Sequence, residues 1–269
     1  MTTQALPDLE RLQSIVIAAA RDILVPGFGR SEFQYKADGS VITPADVLMQ
    51  QRLQNELAEA WPDYAMLGEE MSAAQQREAM ANAGGYWCID PLDGTNNFTA
   101  GMPFFAVSVA LVIDGRQQLG LVYDPVRNEV FSAVRDQGAR LNGRALVAKT
   151  GNAPAKHAIA EIDMKRLPKA LAVRLVTEGP FSSQRNIGSS TLDWCWLAAG
   201  RYHVYLHGSQ MMWDYAAGSL IFNEAGGYSK SLDGEPVFRG ELEARSVLAS
   251  ADADLFDYWE RWIGIPLMM

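Results

Sequence analysis

The segment Trp87–Phe98 limits what this chain can fold into more than any other stretch. It starts with the β-favouring residues 86–89 and then brings in two carboxylates, Asp90 and Asp93. Because Pro91 has no backbone N–H, we expect ladder pairing to stop between these two acids. The pattern therefore predicts a strand that ends in a pair of acidic side chains.

The residues after Asp93 suit the binding of a phosphate group. Gly94 lets the backbone come close to a ligand, and Thr95 adds a hydroxyl beside exposed N–H groups. Asp-Gly between apolar runs is also a hairpin signal, but a hairpin does not require a second Asp three residues earlier across a proline. Because Mg²⁺ takes a few carboxylates together with water and substrate phosphate, the segment predicts a site for both metal and phosphate.

The composition indicates an ordinary globular protein. With 269 residues, 48% of them apolar and 20% charged, the chain can bury one large core or two fused lobes. We expect no signal peptide and no membrane span, hence a cytoplasmic location, and we expect Cys88 and Cys195 to be buried, reduced thiols. A net charge of −9 without a Lys/Arg cluster argues against nucleic-acid binding.

Two helices and a hairpin are predicted before the central segment. Apolar residues recur at helical spacing from Leu9 to Ile23, with Pro7 suited to the first turn and Pro26 to the end. Residues 35–42 are predicted to form a hairpin-like loop around Asp38 and Gly39.

The second helix is predicted from its capping signal. Thr43 suits the N-cap, Pro44 the first helical position and Asp46 the third, as in a capping box. Capping alone would account for Asp46. Two adjacent acids, Glu69 and Glu70, follow a short apolar run and would ordinarily form a solvated corner.

The middle of the chain predicts an antiparallel meander. Strand-like runs at 104–113, 118–123 and 129–134 are separated by turn residues, and residues 138–143 close the meander. Residues 72–84, between the two acids and the central segment, are predicted to be an exposed helix or loop.

The second half of the chain is predicted to be an α/β lobe, so that the lobes comprise residues 1–150 and 151–269. Asp214 falls just ahead of a predicted helix, where an N-cap Asp is common. The predicted strands are 171–176, 203–206 and 245–250, and the predicted helices are 191–200, 215–225 and 255–263.

Four separate motifs resemble the inositol monophosphatase family, within the Mg²⁺-dependent, lithium-sensitive phosphatase superfamily that includes fructose-1,6-bisphosphatases and phosphatases of 3′-phosphoadenosine 5′-phosphate. The motifs are residues 36–46, 68–70, 90–95 and 213–227. The resemblance implies a mixed α+β and α/β fold, a layered α-β-α-β-α sandwich. It also implies a homodimer and inhibition by Li⁺.

The resemblance implies two to three Mg²⁺ ions. One would be bound by Glu69, Asp90 and the main-chain oxygen of Leu92. A second would be bound by Asp90, Asp93 and Asp214. A third, more weakly bound ion would be coordinated by Glu69 and water. Glu69 is therefore also among the implied catalytic residues.

The resemblance also implies the catalytic roles. Thr95, paired with Asp46, would orient a metal-activated water for in-line attack, and the N–H groups of Gly94 and Thr95 would receive the phosphate. Lys36 and Glu70 would support the site.

Substrate contacts are implied for Asp93 and for the loop Gly188-Ser189-Ser190. Animal inositol monophosphatases carry an acid seven residues before the last metal-binding Asp, where this chain has His207. This difference weakens the case for inositol phosphate as the best substrate, although His207 is included among the substrate contacts.

The leading hypothesis is a Mg²⁺-dependent phosphomonoesterase acting on inositol monophosphate or a related small polyol or sugar phosphate. The alternatives within that class are a 3′-phosphoadenosine 5′-phosphate phosphatase and a fructose-1,6-bisphosphatase. An interaction protein that retains the phosphatase fold, and a metal-free acid/base hydrolase using Asp90 and Asp93, are the rivals from other classes.

Overall fold

The computed structural model describes residues 5–36, 39–148 and 154–265. The helices in these stretches are α1 Leu9–Gly27, α2 Pro44–Ala60, α3 Ala73–Met80, α4 Thr95–Ala100, α5 Lys169–Glu178, α6 Ser190–Ala198, α7 Met212–Glu224 and α8 Ala253–Ile263. The strands are β1 Gln34–Tyr35, β2 Val41–Ile42, β3 Ala65–Gly68, β4 Tyr86–Asp93, β5 Ala106–Ile113, β6 Arg116–Asp124, β7 Glu129–Val134, β8 Ala139–Leu141, β9 Arg144–Leu146, β10 Ile159–Asp163, β11 Ser183–Arg185, β12 Val204–Gln210, β13 Tyr228–Lys230 and β14 Arg245–Ser250.

Two sheets and three helical layers alternate through the described chain. The larger sheet has the order β3-β4-β5-β6-β7-β8-β9, and the smaller one β11-β10-β12-β14-β13. Helices α1 and α2 cover one face of the larger sheet, α6 and α7 lie between the sheets, and α5 and α8 cover the outer face of the smaller sheet. This is the predicted layered α-β-α-β-α sandwich.

Side-chain alternation along the strands builds a separate core on each face. In β4, Trp87 and Ile89 pack toward α1 and α2, whereas Tyr86 and Cys88 pack toward α6 and α7. Helix α7 comes very close to the sheet, because a Cβ on Gly120 would lie 2.9 Å from the carbonyl oxygen of Ala217. Helix α7, from the second half of the chain, thus packs directly on the sheet of the first half.

The first two helices form where predicted, with one correction. Asp8, not Pro7, begins the first helix: its carboxylate accepts from the N–H of Arg11, and Pro7 lies outside. Pro26 lies in the last turn of α1, which ends at Gly27 as predicted. The capping box that begins α2 is formed as predicted.

The central strand corrects the expectation that pairing stops at Pro91. Strand β4 continues to Asp93, which pairs with Ala106 of β5, but three residue steps from Asp90 to Asp93 face two steps from Ser108 to Ala106. The extra residue forms a β-bulge, so the strand accommodates Pro91, which has no N–H to donate to the ladder.

The predicted strand at residues 171–176 is wrong. This segment is part of helix α5, in which Leu175 is the buried residue, while Val173 and Val176 are exposed. The strand lies earlier, at β10, which the sequence analysis missed. The apolar residues of this segment suggested a buried strand. In the structure they belong to a helix in which Leu175 alone is fully buried.

Two predictions fall on residues that the structure leaves undescribed. Strands β1 and β2 pair antiparallel, as the predicted hairpin-like loop requires. The predicted place of Asp38 in that loop and the predicted lobe boundary between residues 150 and 151 lie outside the described residues. Both stay predictions. Cys88 and Cys195 are buried and free. No helix in the described residues is long and apolar enough to span a membrane.

Candidate metal and phosphate site

Three acidic side chains meet at the end of strand β4. Asp90 and Asp93 come from β4 and Asp214 from the first turn of α7, and one carboxylate oxygen of each lies within 4.8 Å of the other two. The bulge between Asp90 and Asp93 explains how two residues three apart on a strand reach the same side of the sheet. We call these three side chains the acid cluster.

The acid cluster fits a divalent cation. Burial raises the pKa of Asp90 well above its usual range, and neighbouring carboxylates raise it further. Burial, followed by the charge of Asp93, likewise raises the pKa of Asp214. Buried like charges are unfavourable unless a proton or a cation is shared between them. Because carboxylate oxygens are ligands of hard cations such as Mg²⁺, these residues suit such an ion.

Asp93 is fixed by the first turn of helix α6. Its Oδ2 atom accepts hydrogen bonds from Ser189 Oγ at 2.6 Å, from Thr191 N at 2.8 Å and from Thr191 Oγ1 at 2.7 Å. Ser189 is fully buried, so its hydroxyl is used to hold Asp93. Gly188 and Ser190 line the pocket, and the predicted substrate contacts of this loop stay predictions.

Asp214 lies inside helix α7 rather than ahead of it, which corrects its predicted N-cap position. It is the third residue of the helix, and its Oδ2 accepts from the N–H of Met211 at 2.8 Å. Ser108 Oγ of β5 donates to the carbonyl oxygen of Trp213, which ties the start of α7 to the sheet. The position of Asp214 thus depends on packing between α7 and the larger sheet.

Glu69 lines the same pocket but is outside the acid cluster. Lys36 Nζ lies 2.9 Å from Glu69 Oε1 and 2.6 Å from Glu70 Oε1, so both acids share one ion-pair partner. Burial raises the pKa of Glu69, and Lys36 partly opposes that rise. Lys36, Glu69 and Glu70, which come from neighbouring motifs, therefore lie together. Metal binding by Glu69 stays a prediction.

Thr95 and Asp46 form the predicted pair. Thr95 Oγ1 lies 3.1 Å from Asp46 Oδ1 and 3.0 Å from the carbonyl oxygen of Leu92, so its single proton can be donated to one of the two. Asp46 also accepts from the backbone N–H of Thr43 at 2.8 Å. Capping of α2 and pairing with Thr95 therefore coexist in one carboxylate.

Gly94 allows a close approach between two loops. Its φ is +87°, and a Cβ there would lie 2.8 Å from the carbonyl oxygen of Phe104 and 3.3 Å from that of Gly188. Asn97 Nδ2 donates to the carbonyl oxygens of Ile187 and Gly188, at 2.7 and 3.3 Å. The predicted phosphate loop and the predicted substrate loop are thereby held side by side.

His207 lines the pocket, but both of its ring nitrogens are engaged. Nδ1 accepts from the backbone N–H of Ser209 at 3.1 Å, and Nε2 lies 3.3 Å from Asp163 Oδ2. A neutral ring with its proton on Nε2 satisfies both contacts. The ring therefore has no free nitrogen for the predicted substrate contact.

Sequence reasoning missed four residues from the second half of the chain that line the pocket, namely Asp163, Lys165, Arg166 and Asn186. The signal was present in residues 158–163, a short and mostly apolar run that ends in an acid, as the apolar run 86–89 ends at Asp90. Parallel pairing of β10 with β12 places Asp163 opposite His207.

Comparison with known proteins gives consistent matches. A sequence profile of the inositol monophosphatase family matches residues 8–260. A protein named Nus factor SuhB from Pasteurella multocida (strain Pm70) is 33% identical over 224 residues, which covers 80% of this chain and 82% of that protein. Inositol monophosphatase 2 from Solanum lycopersicum is 32% identical over 258 residues, covering 90% and 94%. The crystal structure of extragenic suppressor protein suhB from Bartonella henselae superposes with a TM-score of 0.83 at 28% identity, covering 95% and 97%.

Proposed function

Because this chain belongs to the inositol monophosphatase family, we propose that it is a Mg²⁺-dependent phosphomonoesterase acting on a small polyol or sugar phosphate. The acid cluster beside the Thr95–Asp46 pair is the observation that carries the proposal. The pocket lined by the acid cluster and Thr95 has a volume of about 340 Å³. That is near the lower end of the roughly 300–1,000 Å³ typical of small-molecule sites, which favours a small substrate.

Two to three Mg²⁺ ions would be held by residues at the end of β4. Asp90, Asp93 and Asp214 would hold one ion. Glu69 and the main-chain oxygen of Leu92 would hold another next to Asp90, and a third would rest on Glu69. When bound, Mg²⁺ neutralises phosphoryl oxygens and lowers the pKa of water.

The side chains around the acid cluster would position the reactants. Thr95 would donate its proton to Asp46, which would leave its oxygen lone pairs to accept a hydrogen bond from the attacking water. The N–H groups of Gly94 and Thr95, at the start of α4, would receive the phosphate. Asp93 and the loop 188–190 would contact the rest of the substrate, with Ser189 acting through Asp93.

A substrate panel tests the proposal. Phosphate release would be measured with Mg²⁺ on inositol 1-phosphate, 3′-phosphoadenosine 5′-phosphate and fructose 1,6-bisphosphate. We expect turnover of at least one compound, reduced at least 100-fold in Asp93→Asn. The matched control is Asp114→Asn in the exposed turn between β5 and β6. Absence of turnover on a wider panel of phosphomonoesters would reject the proposal.

An interaction protein that keeps this fold is the second candidate function. The name Nus factor SuhB, carried by relatives at 32–36% identity, describes a factor rather than an enzyme and favours this candidate. The complete acid cluster and the Thr95–Asp46 pair favour the enzyme, because binding to a partner does not require them. A cellular role that is undamaged by Asp93→Asn would favour the interaction protein.

Three further expectations remain proposals. We infer a homodimer from the family resemblance, and sedimentation at micromolar concentration would test it. We also infer two lobes, 1–150 and 151–269, of one compact unit. Li⁺ is expected to inhibit at submillimolar to millimolar concentration, and a Li⁺-indifferent enzyme would count against the assignment.

A further inference from the structure

Residues 164–167, between β10 and α5, form a loop with two cationic side chains at the pocket; we call it the basic loop. Lys165 and Arg166 both line the pocket and are exposed. Neither side chain makes a hydrogen bond or an ion pair with another described residue.

The backbone of the basic loop is fixed from two sides. Asp163 Oδ1 accepts the N–H groups of Lys165 at 3.0 Å and of Arg166 at 3.2 Å, while its Oδ2 faces His207. On the other side, a Cβ on Gly208 would lie only 1.9 Å from the carbonyl oxygen of Arg166, so the two backbones touch. The pair formed by half-buried Asp163 and buried His207 therefore positions two free cations.

The pocket therefore has one acidic end, at the acid cluster, and one basic end, at the basic loop. The acid cluster suits metal ions and, through them, one phosphate. The basic loop has the chemistry to bind an anion directly, by ion pairing and, for Arg166, by a two-point hydrogen bond. A neutral polyol would leave both cations without a partner. Arginine and lysine at the rim of a pocket, in a chain of net charge −9, instead favour a second negative group.

We propose that the basic loop binds a second anionic group of the substrate, so that the preferred substrates are small phosphomonoesters that also carry another phosphate or a carboxylate. This inference rests on the proposed function, because the first phosphate is placed at the acid cluster. Lys165 and Arg166 are then specificity residues, and Asp163, His207 and Gly208 position them.

Matched substrate pairs test the inference. One pair is inositol 1-phosphate and inositol 1,4-bisphosphate, and the other is glycerol 2-phosphate and 2-phosphoglycerate, in which a carboxylate replaces a hydroxymethyl group. We expect kcat/KM to be at least tenfold higher for the doubly anionic member of at least one pair, mainly through KM. The pair that shows the difference identifies the second group as phosphate or carboxylate.

Substitution of the cations completes the test. Arg166→Gln and Lys165→Gln are expected to reduce the preference at least fivefold, whereas Lys169→Gln, an exposed cation that does not line the pocket, is expected to retain it. The preference should also shrink as NaCl is raised, because the contact is exposed. No preference in either pair, or an equal loss for both members in Arg166→Gln, would overturn the inference while leaving the phosphatase proposal intact.

A binding measurement separates the two proposals if turnover is absent. Calorimetric titration of the Ca²⁺-loaded protein with the same pairs reports affinity without hydrolysis. Tighter binding of the doubly anionic member, weakened by Arg166→Gln and not by Lys169→Gln, supports the basic loop even if no phosphate is released. Equal affinities within each pair overturn it.

Discussion

The hydroxyl of Thr95 lies 3.1 Å from the carboxylate of Asp46, which joins the first turn of α4 to the first turn of α2 across 49 residues of sequence. Asp46 is already held by Thr43, whose N–H and hydroxyl both donate to its Oδ2 atom. The Thr95 hydroxyl therefore meets an acceptor whose position is set by a helix cap. A local capping motif thus supplies one half of the long-range pair that is proposed to be catalytic.

Replacing Thr95 by valine is expected to lower kcat by about 10²–10⁴, the usual range for a lost group in proton handling, with little change in KM. Thr95→Ser retains the hydroxyl and should keep most of the activity. Thr99→Val on the same helix removes a hydroxyl that donates to the carbonyl oxygen of Asn96, and it should leave kcat unchanged. Steady-state kinetics measure the effect, and equal activity in Thr95→Val and wild type would contradict the assigned role.

Mg²⁺ is expected to stabilise the folded protein, because an ion bound at the acid cluster relieves the repulsion among its carboxylates. At 100 times its dissociation constant, an ion that binds only the folded state adds about 2.7 kcal/mol to the free energy of unfolding. Thermal melts after chelation, with and without Mg²⁺, measure the shift. Asp214→Asn should largely remove it and Asp257→Asn, exposed on α8, should not. An unchanged shift in Asp214→Asn would contradict the site.

Stability is expected to fall as pH rises from about 4.5 to about 7, in part because of Glu161. Burial raises its pKa to about 7, and its Oε2 atom has no hydrogen-bond partner. The folded chain therefore keeps a proton that the unfolded chain releases, which costs up to about 3 kcal/mol by pH 8. Urea unfolding at pH 5 to 8 should show a shallower decline for Glu161→Gln. A decline as steep as in wild type, or an equal change in the exposed control Glu178→Gln, would contradict this.

Gly120→Ala is expected to lower the free energy of unfolding by about 1–3 kcal/mol, the usual cost of overpacking. The added methyl would lie 2.9 Å from the carbonyl oxygen of Ala217 and would push α7 away from the sheet. Arg116→Ala, at the exposed end of the same strand, should change stability by less than about 0.5 kcal/mol. Urea denaturation measures both, and equal stabilities of the two variants would contradict the close packing of α7.

Local sequence signals predicted much of the fold. The capping box at Thr43 and Asp46, the meander turns and the helix that begins near Ser190 depend on residues that are neighbours in sequence, and the structure has them in place. The layered architecture came from the family resemblance, since no local pattern says which helix covers which sheet.

The missed features depend on contacts between distant segments. The bulge that turns Asp93 toward Asp90 is visible only in the pairing of β4 with β5. The Asp163–His207 contact depends on the register between β10 and β12, which pairs residues 44 positions apart in the sequence. Strand β10 itself was not predicted. The basic loop therefore could not be placed at the pocket before the smaller sheet was known.

Phosphate release by metal-stripped protein, measured as Mg²⁺ is restored, tests the central claim most directly. Wild-type protein treated with EDTA should release no phosphate from its best panel substrate, and activity should return as Mg²⁺ is added. Release of phosphate that survives chelation would contradict the account, because the acid cluster would then hydrolyse without the cation that it is proposed to hold.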